Sequence, residues 1–275
     1  MTRHAPSERP SVRPERLDYG WWASNGPTAG YLISLATREA ARHLELTNRP
    51  IKRVDLYVLD VGRADAYDMS MASVQGGSRT AVGIVDLRQQ DQTFAVCTVQ
   101  TAFRGEPAAN LAAAPPSVLP PQAYSEIAIA PPQPPVASQF SYRPVAAPDR
   151  SHLESEWDLV WIRAATDDAR RFGTVAVVDC WYPANYMRVV REYLSGRSSS
   201  LDDPPPAALV GAHAAFMDPP RALDRDEHVL LATRLVSSKD GYFQEHCELW
   251  SEHGQPLLSA HITRRNEEQE WYAHP

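Results

Sequence analysis

Arg53-Val54-Asp55-Leu56-Tyr57-Val58-Leu59 is the stretch that decides the fold. Val54, Leu56 and Val58 alternate with polar or surface-tolerant residues, the two-residue period of a strand with one buried face. The run opens a segment, residues 52–104, whose plan returns at residues 206–265. The counterpart begins Leu209-Val210-Gly211-Ala212-His213-Ala214-Ala215-Phe216. Val74-Gln75-Gly76-Gly77-Ser78-Arg79 then matches Leu235-Val236-Ser237-Ser238-Lys239-Asp240, and Ile84-Val85-Asp86-Leu87-Arg88 matches Glu245-His246-Cys247-Glu248-Leu249-Trp250. Both copies finish in a last strand, ending at Phe103-Arg104 or Thr263-Arg264-Arg265. A repeat of this size makes the chain two copies of a small unit rather than one large domain.

Short loops join the runs: Gln75 to Ser78, Gln90-Asp91-Gln92, and Glu252-His253-Gly254. Such turns require antiparallel neighbours, because parallel strands need long crossovers. Each sheet is preceded by a helical stripe. Ala29, Leu32, Ile33, Ala36, Ala40 and Leu44 fall on one face in the first half, with Arg38 and Arg42 away from it. Tyr186, Met187, Val190 and Leu194 form the second stripe, with Arg188, Arg191 and Glu192 outside it. A helix plus an antiparallel sheet, twice over, is an α+β architecture. Between the halves, Ala112 to Pro116, Pro120-Pro121 and Pro131 to Pro135 read as an extended linker, since proline fixes φ and removes a donor. The expected divisions are a tail over residues 1–17, a first unit over 18–105, a linker over 106–137 and a second unit over 138–266.

Composition narrows the function. The 275 residues carry a net charge of -7, against an extended nucleic-acid surface. No run approaches the ~20 apolar residues of a membrane span. Cys97, Cys180 and Cys247 are distant from one another and odd in number, which suggests a reducing, cytoplasmic setting without a disulfide framework. No cysteine pair has metal-binding spacing, so neither a metal nor a cofactor is expected.

In combination these segments resemble the double hotdog proteins of the acyl-CoA thioesterase II family, over residues 18–266. Asn25-Gly26-Pro27-Thr28-Ala29-Gly30-Tyr31-Leu32 resembles the glycine-rich start of the first hotdog helix. Val178-Asp179-Cys180-Trp181-Tyr182-Pro183 resembles an Asp-containing helix start in the second half, after Trp157, Leu159 and Trp161. Gly241-Tyr242-Phe243 with Glu248-Leu249-Trp250 resembles a recurrent second-sheet signature. The resemblance implies two tandem helix-plus-antiparallel-sheet repeats packed side by side, assembly into dimers or larger oligomers, and an acyl-CoA or acyl-carrier thioester as substrate.

It further implies a water held by an Asp, a Thr or Ser, and a Gln on the second hotdog. Asp179 matches the Asp. The hydroxyl position falls on Leu209; the Gln position falls on Ile262, or on Thr263 if Pro256 marks a one-residue insertion. A histidine near Asp179 would serve as general base at neutral pH, and His213 and His261 are the candidates: His213 lies four residues after Leu209, on the same strand face if the strand is regular. Asn25 is the first-half counterpart of Asp179. Asn25, Gly26, Trp181, Tyr182 and Tyr186 are the candidate substrate contacts. Other readings stand beside these. Asp179 also suits a plain helix-terminal carboxylate, Asn25 and Gly26 a turn, and the aromatics a packed core. Arg38, Arg42, Arg188 and Arg191 suit either phosphates or solvent. The functions in play are hydrolysis of an acyl thioester, non-hydrolytic binding or scaffolding by a degenerate site, and a tailoring reaction such as dehydration on the same fold.

Overall fold

The structure is a computed structural model that describes residues 15–23, 25–43, 49–74, 79–103, 114–129, 134–145, 157–181 and 207–266. The first half contains β1 (Glu15–Arg16), α1 (Ala29–His43), β2 (Ile51–Val58), β3 (Ala66–Val74), β4 (Thr80–Gln89) and β5 (Gln92–Ala102). The second contains β6 (Phe140–Pro144), β7 (Asp158–Ala164), α2 (Asp167–Phe172), β8 (Ala207–Phe216), β9 (His228–Lys239), β10 (Tyr242–Ser251) and β11 (Pro256–Asn266).

All the strands among the described residues form one sheet, ordered β1-β3-β4-β5-β2-β8-β11-β10-β9-β7-β6. The order reads the same outward from its middle: β2-β5-β4-β3 on one side, β8-β11-β10-β9 on the other. β1 and β7 occupy equivalent places beside β3 and β9. This is the double hotdog arrangement, with the repeat seen in the sequence expressed as a pseudo-twofold. The seam is the antiparallel pair β2–β8, from Arg53 opposite Ala215 to Tyr57 opposite Gly211. Two hairpins turn through residues with positive φ, Gln90-Asp91 and Asp240-Gly241. Two consecutive left-handed residues match the right-handed twist of the strands they join.

Helix α1 is buried on nearly every side. Ala29, Ile33, Ala36 and Ala40 are fully buried, and so are Leu32 and Leu35 on neighbouring faces. A helix enclosed this completely is central to its domain. The sheet covers one side. On the other lie α2 and the tight 3-10 turn Gly173–Val177, all five residues of which are buried. Gly30 is where the two helical segments touch. A Cβ there would stand 2.3 Å from the carbonyl oxygen of Val178 and 2.6 Å from that of Val175, so only glycine fits. The aromatics Trp21, Tyr31 and Phe172 pack here, Trp21 stacked on Tyr31 at 5.3 Å and meeting Phe172 edge-on at 5.1 Å. For Trp21 and Tyr31 the core reading therefore holds.

A smaller apolar cluster lies on the opposite face of the second-half sheet, around Leu159, Trp161, Leu230 and Trp250. The described part of the proline-rich stretch is fastened over it. Tyr124 is buried in the cluster, and Trp161 Nε1 donates to the Leu119 carbonyl at 3.1 Å. The helical stripe of Tyr186, Met187, Val190 and Leu194 falls outside the described residues, as do residues 1–14 of the expected tail over 1–17 and the turn Gln75 to Ser78; the tail's last residues instead join the fold, Glu15 and Arg16 pairing with β3 and Leu17 being buried. All three cysteines are buried free thiols. Among the described residues no helix is long and apolar enough to cross a membrane.

Candidate active site

The N-terminus of α1 meets the second half at Asp179. This residue has φ 72 and follows the 3-10 turn Gly173–Val177, so it stands past the C-terminal end of a second-half helical segment. The sequence reading placed it at the start of a second-half helix, whose stripe lies outside the described residues; within them, the helix N-terminus it serves is that of α1 in the first half. Asp179 Oδ2 accepts the backbone N–H of Ala29 at 2.9 Å, and the neighbouring carbonyl of Val178 accepts that of Gly30 at 3.2 Å. The other two free N–H groups of this first turn are also taken. Thr28 donates to the Trp21 carbonyl at 3.0 Å, and Tyr31 to Thr28 Oγ1 at 3.4 Å. All four donors left over at a helix start are thus used within the fold, leaving no backbone N–H of that turn for a ligand.

The other carboxylate oxygen of Asp179 is ion-paired with Arg264 Nη2 on β11. Arg264 Nε in turn donates to Glu245 Oε2 on β10 at 3.1 Å. All three side chains are nearly fully buried, Asp179 at 6%, Arg264 at 3% and Glu245 at 4% exposure. Burial lowers Arg264 to about 10, which leaves it charged at neutral pH. Burial, with Asp158 adding to it, pushes Glu245 up to about 8. Glu245 is then mostly protonated at pH 7, and the cluster reduces to one cation facing one anion. That balance suits a site shielded from water, where an unmatched charge costs several kcal/mol.

Arg264 also lines a small cleft, about 20 Å³ in volume and so of the size of one or two water molecules, together with Asn25, Gly26 and Pro27 before α1, Asp60 after β2, and Leu209 on β8. Residues of both halves therefore meet here, and Asn25 and Gly26 are where the sequence reading wanted substrate contacts. Leu209 supplies an apolar wall where a hydroxyl was sought. Trp181 is partly buried and lies against Tyr142, ring centroids 5.1 Å apart, away from the cleft lining. Tyr182 and Tyr186 fall outside the described residues.

The histidines and Thr263 lie elsewhere. Between β11 and β8, Thr263 faces Gly211 while Arg264 faces Leu209, so Val210 is an extra residue. This bulge reverses which residues of β8 point inward on either side of it. Ala212 and Ala214 are buried in the core and His213 points to the outer face. On β11, Ala260, Ile262 and Arg264 are buried, and His261 and Thr263 share the outer face. The expected shared face of Leu209 and His213 therefore fails, because the strand is not regular. The carboxylate His213 does meet is Asp55, with Nδ1 and Oδ1 2.5 Å apart. Burial would raise Asp55, but hydrogen bonds from Arg53 and His213 outweigh it and hold the carboxyl below its usual range. His261 stacks on His246, rings parallel at 4.4 Å. His246 is pushed down to about 4 by burial, with His261 and Arg234 adding to it.

Arg264 and Glu245 are the residues that sequence reasoning missed. Their signal was present: each interrupts an alternating apolar series, Leu258-Ala260-Ile262 before Arg264 and Phe243-Cys247-Leu249 around Glu245. Opposite charges at inward positions of neighbouring strands point to a buried pair.

The fold and this seam-spanning site define a tandem hotdog protein. Its sequence matches the acyl-CoA thioesterase N-terminal domain over residues 19–105 and the acyl-CoA thioesterase C-terminal domain over residues 112–262, so the chain belongs to the acyl-CoA thioesterase family. Comparison with the curated proteins returns no match. Among solved structures, a hot dog fold protein of unknown function from Alicyclobacillus acidocaldarius aligns with TM-score 0.73 and 18% identity over 92% of each chain. The acyl-CoA thioesterase II TesB2 from Mycobacterium marinum aligns with TM-score 0.69 and 14% identity over 88% of this chain and 90% of that one. The dehydratase domain of RzxB from Pseudomonas fluorescens aligns more distantly, with TM-score 0.51 and 12% identity over 86% and 85%. At these identities the likeness is one of fold.

Proposed function

We propose that the chain hydrolyses an acyl thioester, of coenzyme A or an acyl carrier, in the cleft at the seam. The observation that carries this is the Asp179 carboxylate, tied at once to the Ala29 N–H of the first half and to Arg264 of the second, one residue behind a cleft that Arg264 lines and Asp179 does not. Asp179 orients the attacking water and takes its proton as the new C–O bond forms at the thioester carbonyl. With the N–H groups of α1 occupied, the group left to stabilise the tetrahedral oxyanion is the Arg264 guanidinium, with the Asn25 amide beside it. When the C–S bond breaks, the proton held by Asp179 passes to the departing sulfur, giving a carboxylic acid and a free thiol.

The test is thiol release from a chain-length panel of acyl-CoAs. Asp179→Asn should lower kcat by about 100-fold or more, the scale of a lost general base, with near-UV and far-UV spectra unchanged. Undiminished turnover would remove Asp179 from the reaction.

Non-hydrolytic thioester binding is the second reading. It is favoured by Leu209 at the hydroxyl position and by the ion pair, which occupies the Asp179 oxygen that the Ala29 N–H leaves. Saturable acyl-CoA binding without thiol release at any chain length would select it. Dehydration is disfavoured by the histidines: among the described residues His213 pairs with Asp55 and His261 stacks on His246, on the outer face of the sheet rather than beside Asp179.

A further inference from the structure

Glu245 stands on the inward face of β10 between Phe243 and Cys247, and all three are buried. Its Oε2 accepts from Arg264 Nε at 3.1 Å. Its Oε1 is buried with no hydrogen-bond partner. An unmatched anionic oxygen in such a place is costly, so the proton of the acid belongs on Oε1. The strand neighbours paired with Glu245 are apolar, Leu235 on β9 and Ile262 on β11. The described titratable and charged groups around it are Arg264 on β11, Asp179 on the far side of that guanidinium, Asp158 on β7, and the thiols of Cys247 and Cys180. Burial holds both thiols neutral by pushing them up.

The groups around Glu245 act in opposite senses. Burial, with Asp158 adding to it, keeps the proton on and pushes the acid up to about 8. The N–H of Arg264 favours the anion. Arg264 keeps its own charge through that range, since burial lowers it only to about 10. The consequence falls on Asp179. Both of its oxygens are occupied, Oδ2 by the Ala29 N–H and Oδ1 by Arg264 Nη2. A carboxylate that faces an undivided guanidinium charge is a poor acceptor of a proton from water. An ionised Glu245 sets a second anion on the same guanidinium, at Nε, while Nη2 faces Asp179. A like charge so placed raises the proton affinity of Asp179.

We propose that Glu245 is a positioning residue that sets the reactivity of Asp179 through Arg264: protonated, it leaves the guanidinium committed to Asp179; ionised, with its proton lost to solvent, it shares the guanidinium and frees Asp179 to act on water. The effect on rate rests on the hydrolytic reading; the linkage of the three side chains does not. Two measurements on the full chain test it. The first is kcat for thiol release from an acyl-CoA between pH 6 and pH 8.5, with spontaneous hydrolysis subtracted. Wild type should rise about tenfold or more with KM unchanged, as one controlling group ionises. Glu245→Gln keeps an acceptor for Arg264 but cannot ionise, and should hold the low rate throughout; Glu245→Asp should restore the rise. A purely structural role would leave the profile of Glu245→Gln parallel to that of wild type. The second measurement does not depend on turnover. The Asp179–Arg264 coupling, from urea unfolding of Asp179→Asn, Arg264→Met and the double variant, should fall between pH 6 and pH 9 and stay constant in a Glu245→Gln background. A protein that shows this fall but releases no thiol at any pH keeps the linkage and loses the hydrolytic reading. A coupling independent of pH, or a rise in rate shared by Glu245→Gln, would overturn the proposal.

Discussion

Replacing Arg264 with Met isolates the most consequential charge in the molecule. The guanidinium is 3% exposed and serves two buried carboxylates, Asp179 and Glu245. Removing one member of a buried ion pair costs about 3–5 kcal/mol, because the other charge is left without compensation. With Glu245 pushed up to about 8, only Asp179 is stranded as an anion at pH 7, and it keeps the Ala29 N–H. The lower end applies, about 3 kcal/mol. For a chain of this length that is a fall in Tm on the order of 10 °C, read by thermal unfolding at pH 7 and by a shifted urea midpoint. Arg264→Met combined with Asp179→Asn no longer strands a charge and should regain most of the loss, a coupling that a double-mutant cycle measures directly. A single variant within about 1 kcal/mol of wild type, or a double variant no more stable than the single, would refute the description of this cluster as a buried, charge-matched pair.

Other outcomes follow from the same geometry. Glu245 is raised from 4.5 to about 8, so its contribution to stability is full below pH 4.5 and is lost as pH rises toward 8. Glu245→Gln, which still accepts from Arg264, should abolish that decline in a series of Tm measurements from pH 5 to pH 8.5; a parallel decline in both proteins would place the titration elsewhere. His246 is lowered from 6.5 to about 4, so it costs stability as pH falls through that interval. His246→Phe keeps a ring against His261 and should flatten the acid limb of the same profile, while losing about 1 kcal/mol at pH 7 with the Ser259 hydrogen bond. Gly30→Ala drives a methyl into the Val178 carbonyl and should destabilise by about 1–3 kcal/mol by overpacking, visible in urea unfolding; a neutral result would mean the two helical segments separate easily.

Much of the architecture was legible because it rests on periodicity. The two-residue period of Val54, Leu56 and Val58 and the 3.6-residue stripe of α1 each report a single buried face, and the repeat reports that the faces occur twice. What the stripe could not report was how far the burial of α1 extends: Tyr31, Leu35 and Thr37 off the stripe are buried too, Tyr31 between Trp21 of its own half and Phe172 of the second. The site was legible only at its first-half rim, Asn25 and Gly26, and at Asp179. The inward face of β8 depended on Val210, one extra residue that reverses it. Counting along a strand assumes unbroken alternation, and no side chain in the sequence announces that it stops there, so His213 was read toward Asp179. On β11 the alternation does hold, and the series Leu258, Ala260, Ile262 leads to Arg264 rather than to His261 or Thr263.

The β2–β8 seam makes each half the missing edge of the other. Cut at the proline-rich stretch, either half would end in a bare ladder of N–H and C=O groups, an open template for another chain. Because the seam is antiparallel and flanked by mirrored strand orders, a severed first half could restore the ladder by laying its β2 against the β2 of a twin. It would then recover its shelter but not Asp179 or Arg264. Covalent fusion of two such units is what allows the two sides of one seam to carry different residues, α1 on one and the carboxylate and guanidinium on the other, and so to hold one asymmetric site where a symmetric pair would hold two identical ones.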